Sequence, residues 1–455
     1  MDRSRHFRLA LVTPLLVLSS TMLRAQVAPR PDADPRITAL VAAVSQERLR
    51  DVATRLAGFG TRSTLSDTVS TTRGIGAARR WIHAELTRSS PRLQVSFDRH
   101  HVAQQGRITR DVDVVNVMAV LPGRSTRRVY ISGHYDSVNP RANAPQGGAA
   151  GDVQANRAFD HNVDAPGAND DGSGTALTME LARVFAQSGI EFDATLVFIT
   201  WAGEEQGLIG SMAHATRLAA DRVVVEANFN NDIIGSSLGG NGIVDGESVK
   251  LYSLGPDDSM SRSLARYIAR IASVYVPSHR IRLMAREDRF GRGSDHSSFT
   301  ANDFPAVVFR EANENYFRQH SAEDKLEGMD FAYLAQNARV NAAAAASAAL
   351  APPAPNVVSE RGQPRIGRGT TGYDAALQWG ATPGAVAYRI YWRDAWTNDW
   401  EQSQVVGAVT QFVLPNVSID DYVFGVAAIG GDGQESLVSA YVSPVRRMTE
   451  VKLVP

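Results

Sequence analysis

From residue 112 to residue 350, continuous apolar runs alternate with stretches of helical periodicity, and this alternation constrains the fold most. Residues 196–199 are apolar at every position, a pattern typical of a strand that is buried on both faces of a sheet. The apolar residues that precede this run recur at helical spacing: Leu177, Leu181, Val184 and Phe185. Strands that alternate with amphipathic helices predict an α/β domain with a doubly wound, mostly parallel sheet and helices on both faces.

The C-terminal part of the chain has a different pattern. An alanine-rich helix is predicted over residues 331–350, and residues 351–356 follow as a proline-rich linker. Residues 357–455 contain short apolar runs separated by turn residues, which predict an all-β sandwich. Four aromatic residues of this segment are spaced in a way that resembles the fibronectin type III pattern: Trp379, Tyr388, Tyr391 and Tyr422.

The N-terminus has the layout of a secretory signal peptide. Arg3, Arg5 and Arg8 precede a mostly apolar stretch at residues 9–23. Ala25 then provides a small residue for cleavage. The apolar stretch is shorter than the roughly 20 residues that a membrane-spanning helix needs. We therefore expect residues 1–25 to be removed and the protein to be exported, to the periplasm or outside the cell, without a transmembrane anchor.

The composition excludes several kinds of chemistry. The chain contains no cysteine, so disulfides, thiol catalysis and thiolate metal sites are all excluded. Any bound metal must therefore be held by histidine and carboxylate side chains. Lys and Arg number 47 and Asp and Glu number 48, which gives a formal net charge of -1. A chain without a cationic excess is not expected to bind nucleic acid.

Histidine and carboxylate side chains follow the predicted strands at the points where those strands end. They are His134 and Asp136 after the strand at 129–132, Glu204 and Glu205 after 195–201, Asp232 after 223–230, and Glu311 and later His320 after 306–309. The carboxyl ends of parallel strands meet at one edge of a sheet, where α/β proteins place their ligand sites. We therefore expect these side chains to converge at that edge.

A glycine-rich loop, residues 167–174, adds Asp170 and Asp171 at the start of the following helix, facing the same edge. A two-metal centre needs a carboxylate that bridges the ions and further ligands on each ion. Histidine and carboxylate ligands suit zinc, with cobalt or manganese as alternatives. Of the adjacent Glu204 and Glu205, one can bind metal while the other accepts a proton from a metal-bound water.

The candidate residues lie in five short blocks: residues 134–137, 167–174, 201–205, 231–232 and 319–324. In order and approximate spacing, these blocks resemble those of the co-catalytic two-zinc aminopeptidases of metallopeptidase family 28. The resemblance extends over residues 35–350 and implies a two-zinc peptidase domain over residues 26–350. The block at residues 293–299 also resembles a family motif, one that shapes the site without binding metal.

The resemblance assigns roles to the candidate residues. By position, the metal ligands would be Asp170 as the bridge between two zinc ions, His134 and Asp232 at one ion, and Glu205 and His320 at the other. Glu204 would be the general base, and Asp136 would orient His134. Asp171 stands where many members have Asn. Gln319 stands where some members have a tyrosine that stabilises the oxyanion, so no residue is assigned to that role.

These features predict an exported zinc-dependent aminopeptidase that cleaves peptides or proteins by attack of a metal-bound water or hydroxide. A carboxypeptidase or a small-amide hydrolase is the alternative. Arginines near the site could bind a substrate carboxylate: Arg286, Arg289, Arg292 and Arg310. A non-catalytic binding or receptor protein is less favoured because every ligand position and Glu204 are retained. The predicted sandwich could bind a surface, a polymer or the catalytic domain.

Overall fold

The computed structural model describes residues 26–27, 33–143 and 160–442. The predicted signal peptide, residues 1–25, lies outside these residues. None of the described helices is long and apolar enough to span a membrane. The described chain forms a mixed α/β unit followed by two antiparallel β-sheets.

The elements are numbered in chain order within the described residues. The first nine strands are β1 Gln26–Val27, β2 Gln94–Val102, β3 Val112–Leu121, β4 Arg128–His134, β5 Thr195–Trp201, β6 Val225–Asn231, β7 Ser248–Ser253, β8 Arg280–Met284 and β9 Ala306–Glu311. The C-terminal strands are β10 Ile366–Arg368, β11 Asp374–Gln378, β12 Ala385–Asp394, β13 Gln402–Val406, β14 Gln411–Ser418, β15 Tyr422–Gly430 and β16 Ser439–Ala440. The helices are α1 Pro35–Ala42, α2 Gln46–Ala57, α3 Gly74–Ser89, α4 Gly172–Gln187, α5 Ile209–Ala220, α6 Met260–Tyr275, α7 His296–Thr300 and α8 Phe331–Leu350.

Strands β2 to β9 form one sheet in the order β2-β3-β5-β4-β6-β9-β7-β8. The central strands β5, β4, β6 and β9 run parallel, and β7 pairs in parallel with the edge strand β8. Helices α1 to α4, α6 and α8 pack on one side of the sheet, around the largest cluster of buried apolar side chains. Helices α5 and α7 pack on the other side. The carboxyl ends of the central parallel strands therefore share one edge of a covered sheet.

The predicted α/β fold with one large sheet is confirmed, but the sheet is less parallel than the sequence indicates. The pairs β2–β3, β3–β5 and β9–β7 are antiparallel. The strands that the sequence did not reveal include both edges of the sheet, β2 and β8, where most side chains are at least partly exposed. An edge strand in contact with solvent needs no continuous apolar run, so it leaves little hydrophobic signal.

The alanine-rich helix α8 has the bounds predicted from the sequence. Residues 342–346 within it are fully buried alanines. The helix contacts β4 and β6 of the sheet and also packs against α1, α2, α4 and α6. Small side chains allow a helix to lie close to several neighbours at once in a densely packed interior. The alanine run is therefore a packing feature that lets α8 lie close to the sheet and to the neighbouring helices.

The C-terminal strands form a five-stranded sheet, β1-β13-β12-β15-β16, and a three-stranded sheet, β10-β11-β14. All of their pairings are antiparallel. Apolar side chains from both sheets pack together and include Trp379, Tyr388, Trp392, Leu414 and Phe424. The prediction of C-terminal antiparallel β-structure is confirmed, while the exact domain boundaries stay a prediction.

The C-terminal sheets are held against α6 by buried polar contacts. Arg393 of β12 is buried, and its Nη2 donates to Asp257 Oδ2 at 3.0 Å and to Asp258 Oδ1 at 2.5 Å, just before α6 begins. Arg266 of α6 donates to the same Asp257 carboxylate at 3.1 Å. Ser263 Oγ of α6 donates to the main-chain oxygen of Val438 at 2.8 Å. These contacts fix the sandwich on the α/β unit.

We predict that Arg393→Met lowers the free energy of unfolding by about 2–3 kcal/mol, because it removes the buried cation that pairs with Asp258. This value is below the full penalty for breaking a buried ion pair, since the side chain of Asp257 is 45% exposed. Urea denaturation followed by circular dichroism measures the change. The solvent-exposed pair Arg368–Asp420 provides the control, and Arg368→Met should leave the unfolding midpoint nearly unchanged. Equal effects of the two substitutions would contradict the prediction.

Candidate metal centre

The structure brings all five predicted ligand side chains to the carboxyl edge of the central strands. His134 ends β4, Glu205 lies in the turn after β5, Asp232 directly follows β6, His320 lies in the segment after β9, and Asp170 lies just before α4. This is the edge that the sequence indicated. Four of these residues are buried, and the side chain of His320 is one-third exposed, which leaves an opening on that side.

The five side chains form two groups that share Asp170. His134, Asp170 and Asp232 form one group, and the ligand atoms within it lie within 4.8 Å of one another. The other group is Asp170, Glu205 and His320, with the same spacing limit. His134 Nε2 lies 3.3 Å from Asp170 Oδ1, and His320 Nε2 lies 3.1 Å from Asp170 Oδ2. Each oxygen of the Asp170 carboxylate thus faces a different histidine.

Several nitrogen and oxygen atoms of these groups are buried but have no hydrogen-bond partner within the described part of the chain. They are His134 Nε2, Asp170 Oδ2 and Glu205 Oε1. Buried polar atoms are nearly always paired, so a set of unpaired ones that face each other needs an explanation. Imidazole nitrogens and carboxylate oxygens at this spacing fit divalent zinc-like ions. The residues present therefore fit a metal centre.

Asp170 and the adjacent Asp171 have different environments. The Asp171 carboxylate accepts hydrogen bonds from the main-chain nitrogens of His134 at 3.0 Å and Gly174 at 2.8 Å, so it caps α4. A Cβ atom at Gly174 would lie 2.1 Å from the main-chain oxygen of Asn231, which explains the glycine at this crossing. Asp171 thus joins β4 to α4, and Asp170 is the residue directed at both histidines.

Asp136 links the His134 strand to the turn that carries the two glutamates. Its carboxylate accepts from the main-chain nitrogens of Glu204 at 3.3 Å and Glu205 at 3.2 Å. His134 Nδ1 lies 3.1 Å from the main-chain oxygen of Asp136 and 3.5 Å from its carboxylate. A proton donated from Nδ1 leaves the Nε2 lone pair available for a metal ion. Asp136 therefore contacts the His134 imidazole through its main-chain oxygen and bonds the backbone of both glutamates.

Glu204 lies beside the two ligand groups without belonging to either. Its Oε2 is 3.9 Å from His134 Nε2, and its side chain is 13% exposed. Burial raises the pKa of Glu204 well above its usual range, and the neighbouring Glu205 and Asp232 add to this effect. A carboxylate with a raised pKa next to a metal centre can accept a proton.

Other side chains hold the ligands in place. Ser294 Oγ donates to Asp232 Oδ2 at 2.5 Å, and Arg310 Nη1 lies 2.6 Å from Asp232 Oδ1. The carboxylate of Asp324 accepts from the main-chain nitrogens of Asn169 at 3.0 Å and Asp170 at 2.8 Å. The sequence blocks contained Ser294 and Asp324 but gave no role to either. Their polar side chains, placed in blocks that resemble family motifs, were the sequence signal that could have identified them as residues that hold the ligands.

The four arginines that could bind a substrate carboxylate differ in their burial and in their ion pairs. Arg310 is fully buried and is paired with Asp232 and Asp288. Arg289 is paired with Asp288 and with Glu314 at 2.5 Å. Arg286 is exposed and lies against Phe290. Arg292 is one-third exposed and lies next to residues 314–324, here named the His320 segment.

Gln319, which precedes His320, is tied to side chains on both sides. Its Nε2 donates to Glu314 Oε2 at 3.0 Å, and its Oε1 accepts from Arg292 Nη1 at 3.2 Å. The guanidinium of Arg292 lies 5.4 Å from the ring centroid of Tyr316. His320 has a φ of 53°, an uncommon backbone conformation for a residue other than glycine. These contacts hold the His320 segment in that conformation.

Comparison with known proteins identifies the family. Residues 116–345 match Peptidase family M28. A probable zinc metalloprotease of Pyricularia oryzae is 36% identical over 447 residues, which cover 89% of this chain and 84% of that protein. Another, from Leptosphaeria maculans, is 34% identical and covers 90% of this chain and 97% of its own length. The chain belongs to peptidase family M28.

Solved structures show how widely this fold is used. The LapA aminopeptidase of Legionella pneumophila has a TM-score of 0.52 and 20% identity, covering 71% of this chain and 78% of LapA. A glutaminyl cyclase of Fimbriiglobus ruber has a TM-score of 0.50 and 18% identity, covering 70% of this chain and 97% of the cyclase. At these identities the likeness shows the fold alone. The reaction of this M28 member must therefore be argued from its own residues.

The buried carboxyls predict how the metal-free protein responds to pH. Burial raises the pKa of Asp324 and of Asp295 to about 7, well above the value of an unfolded chain. Their stabilisation is present below about pH 4 and is lost as the pH rises through 7. Burial opposes a raised pKa at His134 and His320, yet the surrounding carboxylates raise both, so these residues act in the same direction.

We therefore expect the melting temperature of chelator-treated protein to fall between pH 5 and pH 8. Divalent metal ions should flatten this profile, because they supply the positive charge that the carboxylates need. Differential scanning calorimetry at both pH values, with and without metal, measures the effect. A metal-free melting temperature that rises over this interval would contradict the assignment of raised pKa values to these buried groups.

Proposed function

We propose that this M28 member is a two-zinc aminopeptidase that releases N-terminal residues from peptides, with Glu204 as the general base. The observation that carries the proposal is the sharing of the Asp170 carboxylate between two ligand groups, each of which includes one histidine. A bridging carboxylate with terminal ligands on either side is the arrangement that a two-metal hydrolase requires. Relatives described as probable zinc metalloproteases support zinc as the metal.

The ligand sets follow from the two groups. His134 and Asp232 would hold one zinc ion, Glu205 and His320 the other, and Asp170 would bridge them. Zinc bound there would polarise the scissile carbonyl and lower the pKa of a water molecule. Glu204 would take the proton of that water and pass it to the leaving amine. Asp136 would keep Glu204 in reach because it accepts a hydrogen bond from the Glu204 main chain at 3.3 Å.

The charge of the site supports bound metal independently. Buried carboxyls around the site are Asp136, Asp170, Asp171, Glu205, Asp232, Asp295, Glu311 and Asp324. Among the described residues, the fully buried guanidiniums that face them are those of Arg62 and Arg310. So many acids cannot all ionise at close range without further positive charge. Two divalent ions would provide it.

The pairing of the nearby arginines supports an aminopeptidase over a carboxypeptidase. A C-terminal carboxylate needs an available cation. Arg289 and Arg310 are already paired with internal carboxylates. Arg292 remains as the partly exposed candidate beside the His320 segment. The carboxypeptidase alternative therefore depends on Arg292 or on the exposed Arg286.

Glu204→Gln should retain both zinc ions and lower kcat by about 100- to 10,000-fold, because the variant keeps the ligands and loses the proton acceptor. Elemental analysis gives the zinc content and a chromogenic assay gives kcat. Glu323→Gln is the matched control, since Glu323 lies in the His320 segment with its side chain 70% exposed. If Glu204→Gln retains wild-type kcat, Glu204 is not the base.

The substrate terminus is tested with aminoacyl-p-nitroanilides, their N-acetylated forms and N-acetylated peptides with a free C-terminus, each measured with wild type and Arg292→Gln. We expect the free-amine substrates to be cleaved and the acetylated ones to resist, with similar KM values in both proteins. Cleavage restricted to N-blocked peptides with a free C-terminus, and lost in Arg292→Gln, would instead establish the carboxypeptidase. Hydrolysis of small amides without either terminus would favour the amidohydrolase alternative.

We also infer that the C-terminal sandwich is of the fibronectin type III kind and that the protein is exported. The strand orders β10-β11-β14 and β13-β12-β15-β16 support the first inference. In each sheet, strands that are not consecutive in the chain lie side by side, as in a Greek-key sandwich. The signal-like N-terminus supports export. The docked position on α6 favours the catalytic domain as the partner of the sandwich.

A further inference from the structure

A short buried segment before the matched family region reaches the metal centre. Residues 61–64, here named the Arg62 segment, connect α2 to α3 and precede residue 116, where the family match begins. All four residues are buried, and Arg62 is 0% exposed. A buried arginine must satisfy five N–H donors in a fixed plane, so its partners reveal what it is holding.

The guanidinium of Arg62 donates to main-chain oxygens of both ligand-bearing segments. Its Nε donates to the oxygen of Tyr135, the residue after His134, at 2.6 Å. Its Nη2 donates to the oxygen of Gly167 at 2.8 Å, and Nη1 donates to the oxygen of Pro166, in the loop that leads to Asp170. One planar group thus joins the end of β4 to the start of the Asp170 loop.

The rest of the segment adds to this connection. The main-chain nitrogen of Arg62 donates to Ser137 Oγ at 3.1 Å, and Ser137 Oγ donates to the oxygen of Ala165 at 2.7 Å. Thr64 Oγ1 donates to the carboxylate of Asp136 at 3.1 Å. Ser137 therefore ties the end of β4 to the Asp170 loop at one further point, and the Arg62 segment is bonded to Ser137 and to Asp136.

The close fit around Gly167 shows how little freedom the loop has. Gly167 has a φ of 52°, and a Cβ atom there would lie 2.6 Å from the main-chain oxygen of Asp170, 2.7 Å from Ser137 Cβ and 2.9 Å from Arg62 Nη2. Glycine is needed because the backbone has a positive φ and is enclosed by all three groups, the guanidinium included. A lysine at position 62 would carry the charge on a single nitrogen and could not bond three oxygens in one plane.

We propose that Arg62 is a positioning residue that sets the separation between His134 and Asp170 and so creates the site for the zinc ion between them. The guanidinium acts through the backbone of the two segments and does not contact the ligand atoms. The inference rests on the two-zinc function proposed above.

The charge of Arg62 contributes as well. The side chain makes its hydrogen bonds to main-chain oxygens, yet it faces the carboxylates of Asp324, Asp136, Asp171 and Asp170. Burial lowers the pKa of Arg62 to about 10, so the guanidinium stays protonated at neutral pH. A fixed cation behind the carboxylates offsets their repulsion without occupying a ligand position.

The test is the zinc affinity of folded protein, measured by chelator competition and independently of activity. Arg62→Lys should weaken the binding of one zinc ion by about 10- to 100-fold, the usual effect of removing a group that orients ligands. Arg393→Lys is the matched control, because Arg393 is an equally buried arginine that contacts three main-chain oxygens at the sandwich. Its melting temperature should fall while its zinc affinity stays unchanged.

The zinc-binding measurements distinguish a failure of the two-zinc function from a failure of the positioning role of Arg62. Wild-type protein that binds fewer than two zinc ions contradicts the two-zinc function itself. Wild-type protein that binds two, together with Arg62→Lys that binds both as tightly as Arg393→Lys, overturns the positioning role and leaves the function standing. If Arg62→Lys yields too little folded protein, Ser137→Ala decides. Weakened zinc binding in that variant supports the connection, and unchanged affinity overturns it.

Discussion

The carboxylate of Asp170 is the group on which the candidate site depends. Its two oxygens lie 3.3 Å from His134 Nε2 and 3.1 Å from His320 Nε2, so one side chain joins two ligand groups. The remaining ligands, Glu205 and Asp232, come from the ends of other central strands. The sheet can deliver them together because β5, β4 and β6 are parallel neighbours whose carboxyl ends lie side by side.

Carboxylates held this close repel one another, so the backbone that carries Asp170 must be fixed from several directions. Asp324 accepts a hydrogen bond from the Asp170 nitrogen at 2.8 Å, which ties the loop to the His320 segment. Asp171 accepts from the His134 nitrogen at 3.0 Å, which ties it to β4. Arg62 bonds the carbonyls on the remaining side. The first two ties connect the loop to the segments that carry His320 and His134, and Arg62 also bonds the main-chain oxygen of Tyr135, next to His134.

The sequence predicted the central strands and the ligand positions because both leave local signals. Buried parallel strands are continuous apolar runs, and the polar residues that end them are conspicuous against that background. The edge strands β2 and β8 gave no such signal, because their side chains largely face solvent. Arg62 was not recognised either, since an arginine between two helices has the same appearance whether it is exposed or buried. The residue pattern offered both Asp170 and Asp171, and the resemblance assigned the bridge to Asp170. The structure directs the Asp170 carboxylate at both histidines, whereas Asp171 caps α4.

The sandwich is fixed to the α/β unit through α6. Arg393 contacts Asp257 and Asp258 just before α6 begins, and Ser263 of α6 donates to the main-chain oxygen of Val438. A sandwich on a free linker would move independently of the α/β unit, whereas buried ion pairs hold this one against α6. The C-terminal sheets thus belong mechanically to the α/β unit, while the candidate ligands are held by residues of the α/β unit itself.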